Sequence, residues 1–308
     1  MRIVFMGTPE FAVPCLQKII DDKHQVVAVY SQPDKPKGRG YKLVPTPVKE
    51  KALEYDIEVL QPDSFKDEQV VDKLRSFEPD VIVVVAYGKI LPKSVLDIPK
   101  LGCINVHGSL LPKYRGAGPI QWSVLNGEKK TGVTTMYMEQ GLDTGDMILK
   151  YEMEIGEDET ASQLHDRMCI VGADCLSQTL DLIEKGIAPR EKQDDSQSCY
   201  APMLSKELSQ IDFNKDTQLV HNQIRGLSTW PCAHTMLGDK RIKVYGSKIV
   251  KKDGENQTPG LVIDNKNFIV ACKIGQIQFT QVQYEGSKRM SAQDFLRGKK
   301  IDDGTVLG

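Results

Sequence analysis

The chain has 308 residues, 40% of them hydrophobic and 27% charged, and a formal net charge of −2. These values describe a folded globular protein and exclude a disordered, collagen-like or disulfide-scaffold chain. No apolar run approaches the roughly 18 residues of a membrane span, and the apolar start at Met1–Gly7 resembles a signal segment only until Thr8-Pro9-Glu10 ends it.

Arg2–Gly7 predicts a strand ending at glycine, followed by a helix that begins near Pro9 and runs through Ile20. Gln25–Ser31 reads as a second strand, Thr46–Tyr55 as a helix entered through Pro47, and Ile57–Leu60 as a short strand. Asp67–Phe77 is helical in pattern. The run Asp80–Ala86 is almost wholly β-branched, as in strands covered on both faces. Gly102–His107 is a further strand. Such alternation predicts a doubly wound, Rossmann-like α/β domain with a mostly parallel sheet. Its ligand site belongs at the carboxyl ends of the strands, where Gly7, Tyr87-Gly88 and His107-Gly108 fall.

Past Gly118, a helix at Pro119–Leu125 leads to extended segments at Gly132–Met138 and Asp146–Ile155, then to a helix from about Thr160 to Lys185. Residues 186–208 lose periodicity and read as a linker. A helix at Asp216–Arg225 precedes short apolar runs at Arg241–Tyr245, Gly260–Val262, Phe268–Cys272 and Ile277–Val282, the texture of a small β-barrel. The expected organisation is a catalytic domain over 1–188, a linker over 189–208 and a second domain over 209–308.

Charge is unevenly spread. Residues 209–308 hold 15 Lys and Arg against 10 Asp and Glu, leaving 25 against 32 for residues 1–208. A mildly basic tail on an acidic body points to a polyanionic partner, although an excess of this size also arises by chance. The seven cysteines are odd in number and form no C-x-x-C pair, so buried free thiols in a reducing compartment are expected, with neither a disulfide framework nor a metal site. A cytoplasmic location follows.

The segment Asn105–Gly145 concentrates the chemistry. Asn105 and His107 lie two residues apart on one predicted strand and therefore point to the same side of it. Asp143, in the turn Gly141-Leu142-Asp143-Thr144-Gly145, could reach that side, although Asp is common in such turns for their geometry alone. An amide to steady an oxyanion, an imidazole to handle a proton and a carboxylate to orient it would suit acyl transfer to a neutral amine. The loop Gly108-Ser109-Leu110-Leu111-Pro112 has two leucines outside any periodic element and could offer backbone groups to a flat heterocycle.

Gly7-Thr8-Pro9 stands where a dinucleotide-binding turn would, but it lacks the G-x-G-x-x-G spacing, and Pro9 removes a backbone donor; a rim for a pocket is the better reading. Ser31–Gly40 is a long basic loop whose Lys35, Lys37 and Arg39 could hold a phosphate-bearing substrate. Arg225 could meet a phosphate or a neighbouring carboxylate, and Trp230 reads as a core anchor.

At these residues the chain closely resembles the methionyl-tRNA formyltransferases. The likeness runs through Phe5–Ala12, Gln32-Pro33-Asp34-Lys35-Pro36 with Gly38-Arg39-Gly40, Tyr87-Gly88, Asn105–Pro112 with Arg115-Gly116, and Gly141–Gly145. It departs after Arg225, where Gly226, Ser228-Thr229 and Pro231-Cys232-Ala233 stand in place of the family's usual pattern. The resemblance implies that Asn105, His107 and Asp143 are catalytic and that the pterin end of 10-formyltetrahydrofolate lies against Ser109, Leu110, Leu111 and Pro112. It further implies that Arg39 contacts the acceptor end of a charged initiator tRNA, to which Lys35 and Lys37 of the same basic loop are expected to bind as well, and that the tail is an OB-like barrel gripping that tRNA. No metal, membrane or obligatory protein partner is expected, and the chain is expected to act as a monomer. Other acceptors stay open on the residues alone: a small amine, water, or none, as in a non-catalytic tRNA- or folate-binding protein.

Overall fold

The computed structural model describes residues 1–37, 42–254, 257–302 and 304–308, with Lys37 and Lys42 described by their backbone alone. The chain divides into two compact units. The first comprises Met1–Gly116, Gly132–Met153 and His165–Tyr200, and the second Ala117–Thr131, Glu154–Leu164 and Ala201–Gly308.

The first unit is built on a seven-stranded sheet: β1 (Arg2–Gly7), β2 (Gln25–Tyr30), β3 (Val59–Leu60), β4 (Val81–Val85), β5 (Cys103–His107), β6 (Lys130–Tyr137) and β7 (Met147–Glu154), in the spatial order β7-β6-β5-β4-β1-β2-β3. β1 pairs in parallel with both β2 and β4, β2 with β3, and β4 with β5, while β6 runs antiparallel to β5. The direction of strand addition reverses between β1 and β4, which is where doubly wound sheets open a crevice at their carboxyl edge. All five residues of β4 are buried, as its Val-Ile-Val-Val-Val sequence requires of a strand covered on both faces. One core cluster gathers Val4, Met6, Tyr30, Leu74, Ile82 and Tyr87.

The helices start where local chemistry directs. α1 (Val13–Asp21) and α2 (Pro47–Leu53) each carry a proline in the first turn, where the missing N–H costs nothing, and the Thr46 hydroxyl caps α2 by accepting from Lys49 N at 3.2 Å. α3 (Glu68–Arg75) is capped by Asp67, whose carboxylate accepts from Gln69 N. The long helix α4 (Ala161–Glu184) passes close to β5 and β6 at Gly172, where a Cβ would lie 3.4 Å from Val106 and 3.8 Å from Val133.

In the second unit an antiparallel sheet follows the order β8 (His234–Leu237), β9 (Lys240–Lys251), β12 (Gln276–Tyr284), β11 (Ile269–Ala271), β10 (Val262–Asp264), with β13 (Met290–Ser291) also on β12. Register shifts in β9 at Gly246 and after Ile249 curl this sheet around a core of Val244, Val262, Phe268, Ile277, Phe279 and Phe295. A helix (Ala292–Gly298) and the strand His234–Leu237, neither expected from the sequence, complete it.

Two residues of this unit resolve differently from their sequence reading. Among the described residues Arg225 pairs with no carboxylate: it is buried, and its guanidinium donates to Asn222 Oδ1 at 3.0 Å and to the carbonyls of Gly156 and Glu159 at 3.3 and 3.2 Å. Trp230, expected as a core anchor, is half exposed; Leu227 and Cys232 fill the interior on either side of it.

Candidate active site

β5 brings Asn105 and His107 to one face of the sheet, with Ile104 and Val106 turned the other way, as strand alternation requires. In register, Asn105 stands between Val84 of β4 and Met136 of β6, and His107 opposite Thr134. His107 is buried, at 6% side-chain exposure, and Asp143 nearly so, at 13%.

Asp143 joins them from the turn between β6 and β7. One carboxylate oxygen accepts from Asn105 Nδ2 at 3.4 Å; the other accepts the Gly116 N–H at 2.8 Å and lies 3.6 Å from His107 Nδ1. The backbone of Asp143 is left-handed, with φ of +53°, a region that Asp tolerates better than most residues. Three side chains spread over 39 positions of sequence thus converge.

The tautomer of His107 follows from its other contact. Nε2 lies 2.9 Å from the Tyr114 carbonyl, which can only accept, so Nε2 carries the hydrogen. Nδ1, facing Asp143, is the ring nitrogen left to gain or lose a proton. Asn105 makes no other side-chain hydrogen bond among the described residues, leaving its second amide hydrogen for a ligand.

The loop after β5 is largely engaged with the protein. The Thr134 hydroxyl donates to Ser109 O at 2.7 Å and accepts from Leu111 N at 3.1 Å, Ser109 Oγ donates to Lys113 O, and Lys113 N closes the turn on Leu110 O. Leu111 is buried with Met136 and Met147, and the Leu111-Pro112 peptide is cis. Leu110 lies against the β6 backbone, where a Cβ at Gly132 would come within 2.6 Å of it.

A polar network ties the base of the basic loop to the carboxyl end of β4. Lys49 Nζ bonds Asp34 and Gln61 at 2.7 and 2.8 Å, Gln61 Nε2 bonds Asp34 and Gln32 O, and Gln32 Nε2 bonds the carbonyls of Tyr87 and Gly88. The Lys49 and Gln61 hydrogen bonds hold the Asp34 carboxyl below the usual carboxylate range. Lys35 is exposed on a short hairpin, Lys35–Lys37 against Lys42–Val44. Arg39 lies outside the described residues, as does the side chain of Lys37.

Sequence reasoning missed several of the site's supports: Tyr114 and Thr134, and above all Gln193, from the segment read as linker. Gln193 Nε2 donates to the carbonyls of Asp143 and Gly145, both at 2.8 Å, and its Oε1 accepts from Arg115 Nε and Nη2 at 3.0 and 2.8 Å. A lone glutamine in an aperiodic stretch carries no signal of this.

Burial raises the thiols of Cys103, Cys175 and Cys272, to about 12, 11 and 11. These cysteines are poor nucleophiles. Among the described residues, no group of three or more His, Cys, Asp and Glu side chains could hold a metal ion, and no helix is long and apolar enough to cross a membrane.

A site of amide, imidazole and carboxylate at the carboxyl edge of a doubly wound sheet, with a curled antiparallel sheet in the second unit, defines the class. The family profile described as formyl transferase matches residues 1–180, and the formyl transferase C-terminal domain matches 203–300. The methionyl-tRNA formyltransferases of Ruminiclostridium cellulolyticum and Clostridioides difficile are each 51% identical to this chain, covering all of it and all of their own length. That of Geotalea uraniireducens is 52% identical over the whole chain and 98% of its own. The chain belongs to the methionyl-tRNA formyltransferase family. Among solved structures, the sugar 3N-formyl transferase WlaRD, determined with dTDP and 5-N-formyl-THF, shares the fold with a TM-score of 0.69 at 21% identity, over 94% of this chain and 99% of its own. The N-formyltransferase of Helicobacter canadensis, in complex with folinic acid and dTDP-3-aminofucose, does so with a TM-score of 0.68 at 20% identity, over 90% of this chain and 98% of its own.

Proposed function

We propose that Asn105, His107 and Asp143 are the centre at which this enzyme formylates the α-amine of methionyl initiator tRNA, the step that readies it for translation initiation, with 10-formyltetrahydrofolate as donor. The observation that carries this reading is the convergence of the three side chains, with Nδ1 of His107 turned toward the Asp143 carboxylate.

The neutral α-amine attacks the formyl carbon, a C–N bond forms, and the carbonyl electron pair moves onto oxygen. Asn105 donates its unengaged amide hydrogen to that oxyanion, a contact worth about 10²–10³ in rate. His107 receives the amine proton on Nδ1, where the Asp143 carboxylate steadies the resulting cation, and returns it to the departing folate nitrogen as the C–N10 bond breaks. Tetrahydrofolate and formylmethionyl-tRNA leave. The amine is itself a good nucleophile, so no covalent enzyme intermediate is needed. The turn Ser109, Leu110, Leu111 and Pro112 walls the donor side, and its hydrogen bonds to the Thr134 hydroxyl of β6 make that wall rigid before the donor arrives.

On the acceptor side, Lys35, Lys37 and Arg39 meet phosphates at the acceptor end of the tRNA. Within the proposed division into a catalytic domain at 1–188, a linker at 189–208 and a tRNA-binding domain at 209–308, the basic excess of the last part serves the same partner. The enzyme works as a monomer in the cytoplasm, where charged tRNA is made and its free thiols stay reduced.

The deciding experiment follows labelled formyl from 10-formyltetrahydrofolate into methionyl-tRNA, with uncharged tRNA, free methionine and water as competing acceptors. Label is expected on methionyl-tRNA alone, and unchanged turnover in both Asn105→Ala and His107→Ala would remove the mechanism.

A further inference from the structure

We infer that Gln193 is a positioning residue for formyl transfer, setting the Asp143 carboxylate against His107; the inference rests on the role given to Asp143 above. A glutamine amide has two N–H donors and an oxygen with two lone pairs, and Gln193 uses all four. Both hydrogens go to carbonyls of the Asp143 turn, and both lone pairs accept from Arg115. Only this orientation of the amide matches donors to acceptors.

Arg115 sits between the two residues that hold the reactive groups. Its neighbour Tyr114 accepts from His107 Nε2, and its other neighbour, Gly116, donates to Asp143 Oδ2. Gln193 therefore bolts the Asp143 turn to the same three-residue segment that orients the imidazole. Asp tolerates the left-handed region better than most residues but still at some cost, so the turn at Asp143 gains from surroundings that enforce it. Here the enforcement falls on the carbonyls at 143 and 145. Arg115 Nη2 also donates to Asp195, whose side chain is 83% exposed, so that pair contributes little.

The chemistry also specifies glutamine over glutamate. A carboxylate at 193 would satisfy Arg115 equally well, but it would turn lone pairs toward two carbonyl oxygens and push the turn away.

The test is a double-mutant cycle on the full-length enzyme, with kcat and KM measured using 10-formyltetrahydrofolate and methionyl-tRNA. Gln193→Ala is expected to lower kcat about 10- to 100-fold, the scale on which a small displacement of a reacting group acts. The KM for methionyl-tRNA should stay within about twofold. In an Asp143→Asn background, the same substitution should cost less than about threefold, because the group it positions has already been altered. Should Gln193→Ala not fold, Gln193→Glu, which keeps the partner of Arg115, takes its place in the cycle.

Equal losses in both backgrounds would show a role independent of Asp143 and overturn the inference, as would parental kcat in the Gln193 variant. Full turnover in Asp143→Asn alone would instead remove the role of Asp143, and the present inference with it. An impaired Asp143→Asn beside an unaffected Gln193 variant leaves the reading of Asp143 intact and sinks only this step.

Discussion

His107 donates its Nε2 hydrogen to the backbone carbonyl of Tyr114 across 2.9 Å, and that single bond leaves Nδ1 without a hydrogen on the side of Asp143. The other tautomer would put the Nε2 lone pair against the carbonyl and lose the bond. His107→Ala is therefore expected to lower kcat by about 10²–10⁴, the usual weight of a positioned acid–base group. His107→Gln, which can still reach Tyr114 O but cannot carry the proton, should be equally slow. Restored turnover in His107→Gln would mean that orientation alone matters.

Asn105 offers one amide hydrogen to Asp143 and, among the described residues, the other meets no partner. Asn105→Ala should reduce turnover by about 10²–10³ while leaving tRNA affinity unchanged. Filter binding of methionyl-tRNA beside the turnover assay separates the two quantities. A weakening of tRNA binding that matches the rate loss would move Asn105 from the reaction centre to substrate binding.

Gly145 closes the turn that carries Asp143, and a Cβ there would lie 1.8 Å from the Tyr137 carbonyl oxygen. The obstacle is backbone in a paired strand, so it does not yield as a side chain would. Gly145→Ala is expected to destabilise the protein by about 1–3 kcal/mol, as overpacking does, and to slow turnover as well. Chemical denaturation compared with the parent checks the first effect. An unchanged midpoint would show that the turn relaxes freely.

His221 gives the protein an acid limit. Buried, it donates from Nε2 to the Glu157 carbonyl and accepts on Nδ1 from the Ser247 hydroxyl, so the neutral ring is fully satisfied. Burial pulls its pKa below the ordinary value; the Glu157 carbonyl bond opposes this, the Arg225 guanidinium adds to it, and the carboxylates of Asp158 and Glu157 oppose it. The unfolded chain therefore takes up this proton first as pH falls. The contribution is complete above about 6.5 and is lost as pH drops through the lower folded value. Urea midpoints between about pH 8 and 5 should fall toward acid, and less steeply in His221→Gln. Parallel curves for the two proteins would assign the acid loss elsewhere.

The basic loop carries a prediction about salt. If Lys35 and Arg39 each neutralise one tRNA phosphate, then Lys35→Gln and Arg39→Gln should each lower the slope of log affinity against log salt by about one unit. Parental slopes in both would place the phosphate contacts outside the loop.

Residue order alone determined the parallel sheet and the pairing of Asn105 with His107. Strand periodicity and the β-branched run at 81–85 are local properties, and two positions on one strand share a face whatever surrounds them. The turn glycines around Asp143 were equally legible, yet nothing local told an aspartate that meets His107 from a mere turn former. Its place beside His107 exists only because the turn after β6, which leaves beside Cys103 at the start of β5, comes back along that strand to Asn105 and His107. The Ser109–Pro112 loop was marked by its leucines, but Leu111 turned inward once Thr134 took up the backbone groups beside it. Gln193 lay beyond any sequence reading, because a side chain that bonds four atoms on two distant segments has no periodicity to show. Tertiary structure alone decides such partners, since hydrogen bonds are made between neighbours in space and the chain's order leaves those neighbours unspecified.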